Sequence, residues 1–233
     1  MIVFWLWLGF VGMTSGAVLF GRAAYKAKTE QWQILLTLNF FICLIATTLY
    51  LAMILGQGFI NAYDRPIYWV RYLTWGLSTP LILLVITRLG GSSLLLTASL
   101  IGADLFMIAT GYVAAVSPVP INFIWYLVSC GAFVALFYLL LRPYRVQAIQ
   151  QHPRAKKAID QLLSVQLALW TLYPIVWILS KTGFNLLNPT LETISYTLLD
   201  LAAKVGFGFF ALATLRKQER LQEMPQRLEQ VLR

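Results

Sequence analysis

The chain has 233 residues, 59% of them hydrophobic and only 12% charged, with a mean hydropathy of +0.72. A soluble domain carries about 25% charged residues, so the composition argues against a soluble fold and for a membrane protein. The net charge of +9 would suit nucleic acid, but the placement of the basic residues gives it another meaning.

The opening stretch, "MIVFWLWLGFVGMTSGAVLF", has no basic region before its apolar run and reads as a first spanning helix, not as a cleaved signal. A span needs about 20 mostly apolar residues. Seven segments qualify, at 3–22, 32–56, 66–87, 92–115, 119–141, 160–181 and 190–214. "GRAAYKAKTEQ" separates the first two by charge. "GQGFINAYDRP" and "SPVP" are Gly/Pro turns, and "KTGFNLLNP" is a Gly/Asn/Pro loop. "RPYRVQAIQQHPRAKKAID" is the longest polar stretch and reads as the fifth loop. The expected fold is an all-α, seven-helix transmembrane bundle at 1–215, followed by a tail at 216–233 that lies in solvent or along the surface.

Cys43 and Cys130 lie inside apolar segments and read as small core residues, not as a disulfide or a metal site. His152 sits in the polar fifth loop and reads as a solvated histidine with no metal constellation around it.

Arg22, Lys26, Lys28, Arg88, Arg142, Arg145, Arg154, Lys156, Lys157, Arg216, Lys217, Arg220, Arg227 and Arg233 all fall on one side of the expected bundle. The other side has Arg65 and Lys181. The positive-inside rule then gives an outer N-terminus and a cytoplasmic C-terminus in the plasma membrane. The charge is a topology signal, and the bilayer, with no nucleic acid, is the expected partner.

Four charges stand out within the apolar spans: Arg71, Asp104, Asp200 and Lys204, with Glu192 near an outer end. Each must be paired, neutralised or hydrated. Asp200 and Lys204 are four residues apart and share a helix face. A structural ion pair is one reading. The other is an amine held in a desolvated pocket, able to form a Schiff base with an aldehyde, with Asp200 as counter-charge. Asp104, in "GADLFMIATG", reads as a neutral, hydrogen-bonded carboxyl, because burial disfavours its charged form.

"PIYWVRYLTWGLSTPLILL", "LWTLYPIVW" and "LDLAAKVGFGF" stand in order on the third, sixth and seventh spans. In these motifs the chain resembles the microbial rhodopsins, over nearly its whole length. The resemblance implies all-trans retinal on Lys204 as a Schiff base, Asp200 as counterion, and Tyr50 hydrogen-bonded to Asp200. It implies a retinal pocket of Trp75, Thr79, Ile82, Met107, Gly111, Tyr126, Ser129, Phe133, Trp170, Tyr173 and Trp177. Tyr126 departs from the tryptophan common in the family, and Phe133 from a frequent methionine. A trimer is common among relatives and is the expected homo-oligomer.

Arg71, Thr74, Ser78 and Val85 fall on one stripe of the third helix. In the family that stripe faces the Schiff base. Outward proton pumps of the family carry a carboxylic acid where Thr74 stands and commonly another where Val85 stands. Neither side chain here can hold that role. With Schiff base and Arg71 positive and Asp200 negative, the cluster counts as net +1, which a small anion would neutralise. Thr74 and Ser78 each offer a hydroxyl one turn apart, and Arg71 offers attraction and an outer gate.

"RYLTWGLSTP" resembles the halorhodopsins, light-driven inward chloride pumps and not enzymes. The resemblance implies chloride or another small anion at Arg71, Thr74 and Ser78. Glu192, whose match in proton pumps belongs to an outer release group, would line the entrance or hold water. An arginine of the archaeal halorhodopsins is replaced here by Leu163, so the cytoplasmic exit must use Gln166, Ser164 or waters. The alternatives are a photosensor signalling through a partner, and weak proton transport through Asp200.

Overall fold

The structure is a computed structural model that describes the backbone of residues 1–231 and the side chains through residue 221. Among the described residues, seven helices are long and apolar enough to cross a membrane: Ile2–Lys26, Glu30–Ile54, Trp69–Gly90, Leu94–Val116, Ile121–Gln151, Pro153–Leu179 and Pro189–Leu221. Each expected span falls within or largely overlaps one of them. Their outward faces carry exposed apolar side chains such as Trp7, Leu19, Phe41, Leu127, Val134 and Phe209. These suit hydrocarbon, where a helix satisfies its own backbone.

Local chemistry sets the helix ends. Ser93 Oγ accepts from the Leu96 N–H at 3.3 Å at the start of the fourth helix. Asn188 Oδ1 accepts from the Leu191 N–H at 2.9 Å, with Pro189 in the first turn of the seventh. Both are side-chain caps on orphan donors. The third helix stops at Gly91, whose φ of +64° is the left-handed conformation that glycine adopts without strain.

The fifth helix runs ten residues further than the apolar span suggests, to Gln151 instead of 141. Pro143, which has no N–H to donate, lies in a widened π turn at Leu140–Tyr144. The helix then resumes as Arg145–Gln151. Most of the expected fifth loop is therefore ordered helix. Arg145 chelates Asp160 at 2.6 and 2.9 Å. The buried Tyr144 donates to the Ile86 carbonyl at 2.8 Å, and Gln151 to the Gly91 carbonyl at 2.6 Å. His152 is half-buried at the junction of the fifth and sixth helices, not freely solvated, and that burial lowers its pKa.

At the opposite end, the expected "GQGFINAYDRP" turn contains a small antiparallel hairpin, Ile60–Ala62 paired with Arg65–Ile67. Tyr63 and Asp64 join the strands with φ of +51° and +59°, as a two-residue hairpin turn of primed type requires. Arg65 pins the hairpin to neighbouring loops, donating to the Ser117 carbonyl at 2.5 Å and the Thr182 carbonyl at 3.2 Å.

The largest apolar cluster lies toward the basic end and joins helices two to seven through Leu35, Leu83, Ile86, Leu100, Leu136, Leu162 and Phe207. Val85 and Leu163 belong to it. The half of the bundle below the stripe is therefore closely filled by aliphatic side chains.

Candidate functional site

Lys204 lies in the seventh helix within a second π turn, Leu201–Gly206. The Phe207 N–H bonds back to the Ala202 carbonyl, five residues away. Such turns interrupt α-helices mostly at functional sites. Lys204 is 2% exposed, so its amine has almost no access to solvent.

Its Nζ donates directly to Asp200 Oδ1. Two phenols also hold the carboxylate. Tyr173 donates to Oδ1 at 2.9 Å and Tyr50 to Oδ2 at 3.1 Å. Asp200 is thus charge-paired and saturated by donors from the second, sixth and seventh helices, which a buried carboxylate needs to stay ionised. Tyr50 reaches it because its ring occupies the space a Cβ on Gly9 would fill.

Lys204 opens into a cavity lined by Trp75, Thr79, Ile82, Met107, Gly111, Tyr126, Ser129, Phe133, Trp170, Tyr173 and Trp177. Every residue expected in the pocket is on this wall. Tyr126 stacks on Trp177 with ring centres 4.8 Å apart, and Trp75 meets Tyr173 edge-on at 5.6 Å. The Tyr126 hydroxyl donates to the Pro174 carbonyl at 3.1 Å, and Ser129 to the Met107 carbonyl at 2.7 Å. The cavity is a narrow apolar slot with one primary amine, suited to a long apolar ligand ending in a carbonyl.

Sequence reading missed Tyr72, Ile108, Cys130, Pro174 and Ala203 on the same wall. Tyr72 matters most, because its hydroxyl accepts from the Trp177 indole at 2.7 Å and fixes that ring. Helical spacing from Trp75 and Gly111 was the available signal. Cys130 lines the cavity half-buried and is not a core residue, while Cys43 is buried; both are free thiols.

Asp104 is fully buried and also lines the cavity. Thr79 Oγ1 lies 2.6 Å from its Oδ2 and 2.8 Å from the Trp75 carbonyl. A hydroxyl has one proton. Both contacts are satisfied together when Thr79 donates to the carbonyl and a protonated Asp104 donates to Thr79.

Arg71, Thr74, Ser78 and Val85 are all buried, so the stripe faces the bundle interior. The arrangement of Arg71 differs from expectation. Its Nη1 pairs with Glu192 Oε1 at 2.5 Å, its Nη2 bonds Thr193 Oγ1 at 3.4 Å, and its guanidinium lies 4.8 and 4.7 Å from the Tyr68 and Tyr196 ring centres. Glu192 is two turns before Asp200, in the first turn of the seventh span, and Arg71 is in the first turn of the third; the two spans run in the same direction, which brings Glu192 level with Arg71. The charge count of +1 is therefore corrected. Lys204 with Asp200 and Arg71 with Glu192 form two neutral pairs. Thr74 donates to the Val70 carbonyl at 2.8 Å. Ser78 Oγ is buried with no partner among the described residues.

Toward the basic end, Gln166 is 1% exposed, and neither atom of its amide has a partner among the described residues. Asn39, also buried, leaves its Oδ1 unpartnered. Ser164 is exposed on another face, so it does not join this interior set.

A family model described as "Bacteriorhodopsin-like protein" matches residues 1–218. A bacteriorhodopsin from Haloterrigena sp. is 38% identical over 226 residues, covering 93% of this chain and 89% of the relative. Sensory rhodopsin-2 from Natronomonas pharaonis is 33% identical over 215 residues, covering 91% and 90%. The crystal structure of a cyanorhodopsin from Calothrix sp. NIES-2098 superposes with a TM-score of 0.88 at 39% identity, covering 92% and 94%. These names carry the wider family and not the halorhodopsin branch that the Thr-Ser stripe suggested. With a buried lysine and aspartate at the mouth of an aromatic slot inside seven apolar helices, the chain belongs to the bacteriorhodopsin-like family of microbial rhodopsins.

Proposed function

We propose that the protein is a light-driven inward pump for chloride or a similar small anion. The observation that carries this reading is the buried polar stripe on the third helix. Thr74 and Ser78 offer hydroxyls, Ser78 Oγ has no other partner among the described residues, and no carboxylate stands at either position. An unpartnered buried donor is costly unless water or a ligand meets it.

The family binds retinal, and the residues here fit it: an amine at the end of an apolar slot, with a carboxylate to balance a cation on that nitrogen. Lys204 Nζ would hold all-trans retinal as a protonated Schiff base, and the bound group would supply a light-driven isomerisation. Asp200, held by Tyr50 and Tyr173, keeps that cation charged in the dark. Thr74 turns its hydroxyl from the Val70 carbonyl to join Ser78 around the anion. Arg71 guards the outer approach from its position on Glu192. At the inner end of the stripe Val85 offers no proton, and Gln166 offers a buried amide on the way out. The N-terminus is outside and the basic end cytoplasmic in this reading.

Chloride added to the purified, retinal-loaded protein should shift its visible absorption, and Thr74→Asp should raise the chloride concentration needed at least tenfold. In illuminated, unbuffered cells the medium should turn alkaline by passive proton uptake. A protonophore should enhance that signal, and replacing chloride with a non-transported anion should abolish it. If chloride replacement changes neither absorption nor the light response, the reading fails.

Two other readings have specific support. The direct contact of Lys204 with Asp200 gives a proton a place to go; current that persists without halide and disappears in Asp200→Asn would establish proton transport. Similarity to a sensory rhodopsin favours a photosensor, for which a photocycle of seconds with no ion current would be the signature.

A further inference from the structure

The first, second and seventh helices leave an open groove of about 1060 Å³ between them at the basic end of the bundle. It is separate from the cavity at Lys204. Its walls are apolar and include Leu19, Leu36, Phe209 and Leu212. Leu19 and Phe209 are 53% and 49% exposed. The groove's mouth carries Lys26, Lys28, Arg216, Lys217 and Arg220, and among the described residues no acidic side chain lines it.

None of the five cations makes an ion pair among the described residues. Arg216 lies 5.4 Å from the centre of the Trp32 ring. Glu219, the acidic residue nearest in sequence, is turned to accept the Trp32 indole N–H at 2.7 Å. The cations are therefore left available at the level where the helices leave the hydrocarbon. Aliphatic walls running into an uncompensated cationic rim match the two ends of one molecule: an acyl chain and a negatively charged headgroup. Basic pockets between spanning helices recognise anionic lipids on the same principle.

We propose that this groove is a binding site for an anionic glycerolipid from the leaflet at the basic end of the bundle. The acyl chain lies along Leu19, Leu36 and Phe209, and the headgroup phosphate or sulfonate meets Arg216, Arg220 and Lys26. A neutral lipid fills the groove but gains nothing at the rim. A free inorganic anion meets the rim but gains nothing from the walls.

Native mass spectrometry of the whole chain, offered equal phosphatidylglycerol and phosphatidylcholine, tests this. The wild type should retain phosphatidylglycerol with about tenfold preference, and the preference should fall to twofold or less in Lys26→Gln/Arg216→Gln/Arg220→Gln. It should survive in Lys156→Gln/Lys157→Gln, which removes charge elsewhere at the same end. Leu19→Trp/Leu212→Trp, which fills the walls and keeps the charge, should also lose it. Retention of the retinal-dependent visible absorption verifies that each variant is folded. Equal retention of the two lipids by the wild type overturns the proposal. So does an undiminished preference in either the rim or the wall variant, and so does competition by inorganic phosphate as strong as that by phosphatidylglycerol.

Discussion

Lys204 and Arg71 are both buried cations, yet they were not equally legible. Lys204 shares a face with Asp200 by simple i, i+4 spacing, and the contact follows from that spacing. Arg71 shares a stripe with Thr74 and Ser78, but a stripe fixes where a Cα lies and not where a long side chain ends. Its guanidinium settles on Glu192 between two tyrosine rings. Two predictions belong here. Lys204→Ala should give protein with no visible absorption after retinal is added, measured against wild type at equal concentration. Glu192→Gln should tighten chloride binding, because it removes a negative charge and frees Arg71. A unit charge about 10 Å away is worth about 1.7 kcal/mol at an effective dielectric constant near 20, so the spectroscopic Kd should fall about tenfold.

The seven helices were readable because apolar length is a direct response to bilayer thickness. Their ends were not. Hydropathy reports where the hydrocarbon stops, and a helix continues past that point if other groups hold it. Arg145 with Asp160, and Tyr144 with the Ile86 carbonyl, do so for the fifth helix. The Ile60–Ile67 hairpin escaped notice because Tyr63 and Asp64 make its turn without the glycine that usually signals one. The two π turns also left no pattern, since each is one residue of altered register. At the sixth helix, Gln166 is an unpartnered polar group beside the aliphatic cluster that includes Leu163. Gln166→Leu should remove the polar foothold there and slow the last phase of recovery after a flash about tenfold, a barrier rise of about 1.4 kcal/mol. Unchanged recovery would remove Gln166 from the exit route.

At the scale of the molecule, the two ends differ sharply. One carries the hairpin, pinned by Arg65 to the Ser117 and Thr182 carbonyls. The other carries the basic helix ends and the cationic groove. With the basic end cytoplasmic, a cysteine placed at the exposed Arg154 should react with an impermeant thiol reagent in inverted vesicles and not in intact cells. The reverse result would invert the direction of transport as well as the topology. The union of Arg71 with Glu192 has a consequence for where such a protein works. On the proposed reading, an arriving halide must draw the guanidinium away from a carboxylate that already satisfies it, so ambient salt would act as a set point. In dilute fresh water the latch would stay shut and light would be wasted as heat. In brine the same latch would yield, and illumination would become useful only where there is an anion worth moving.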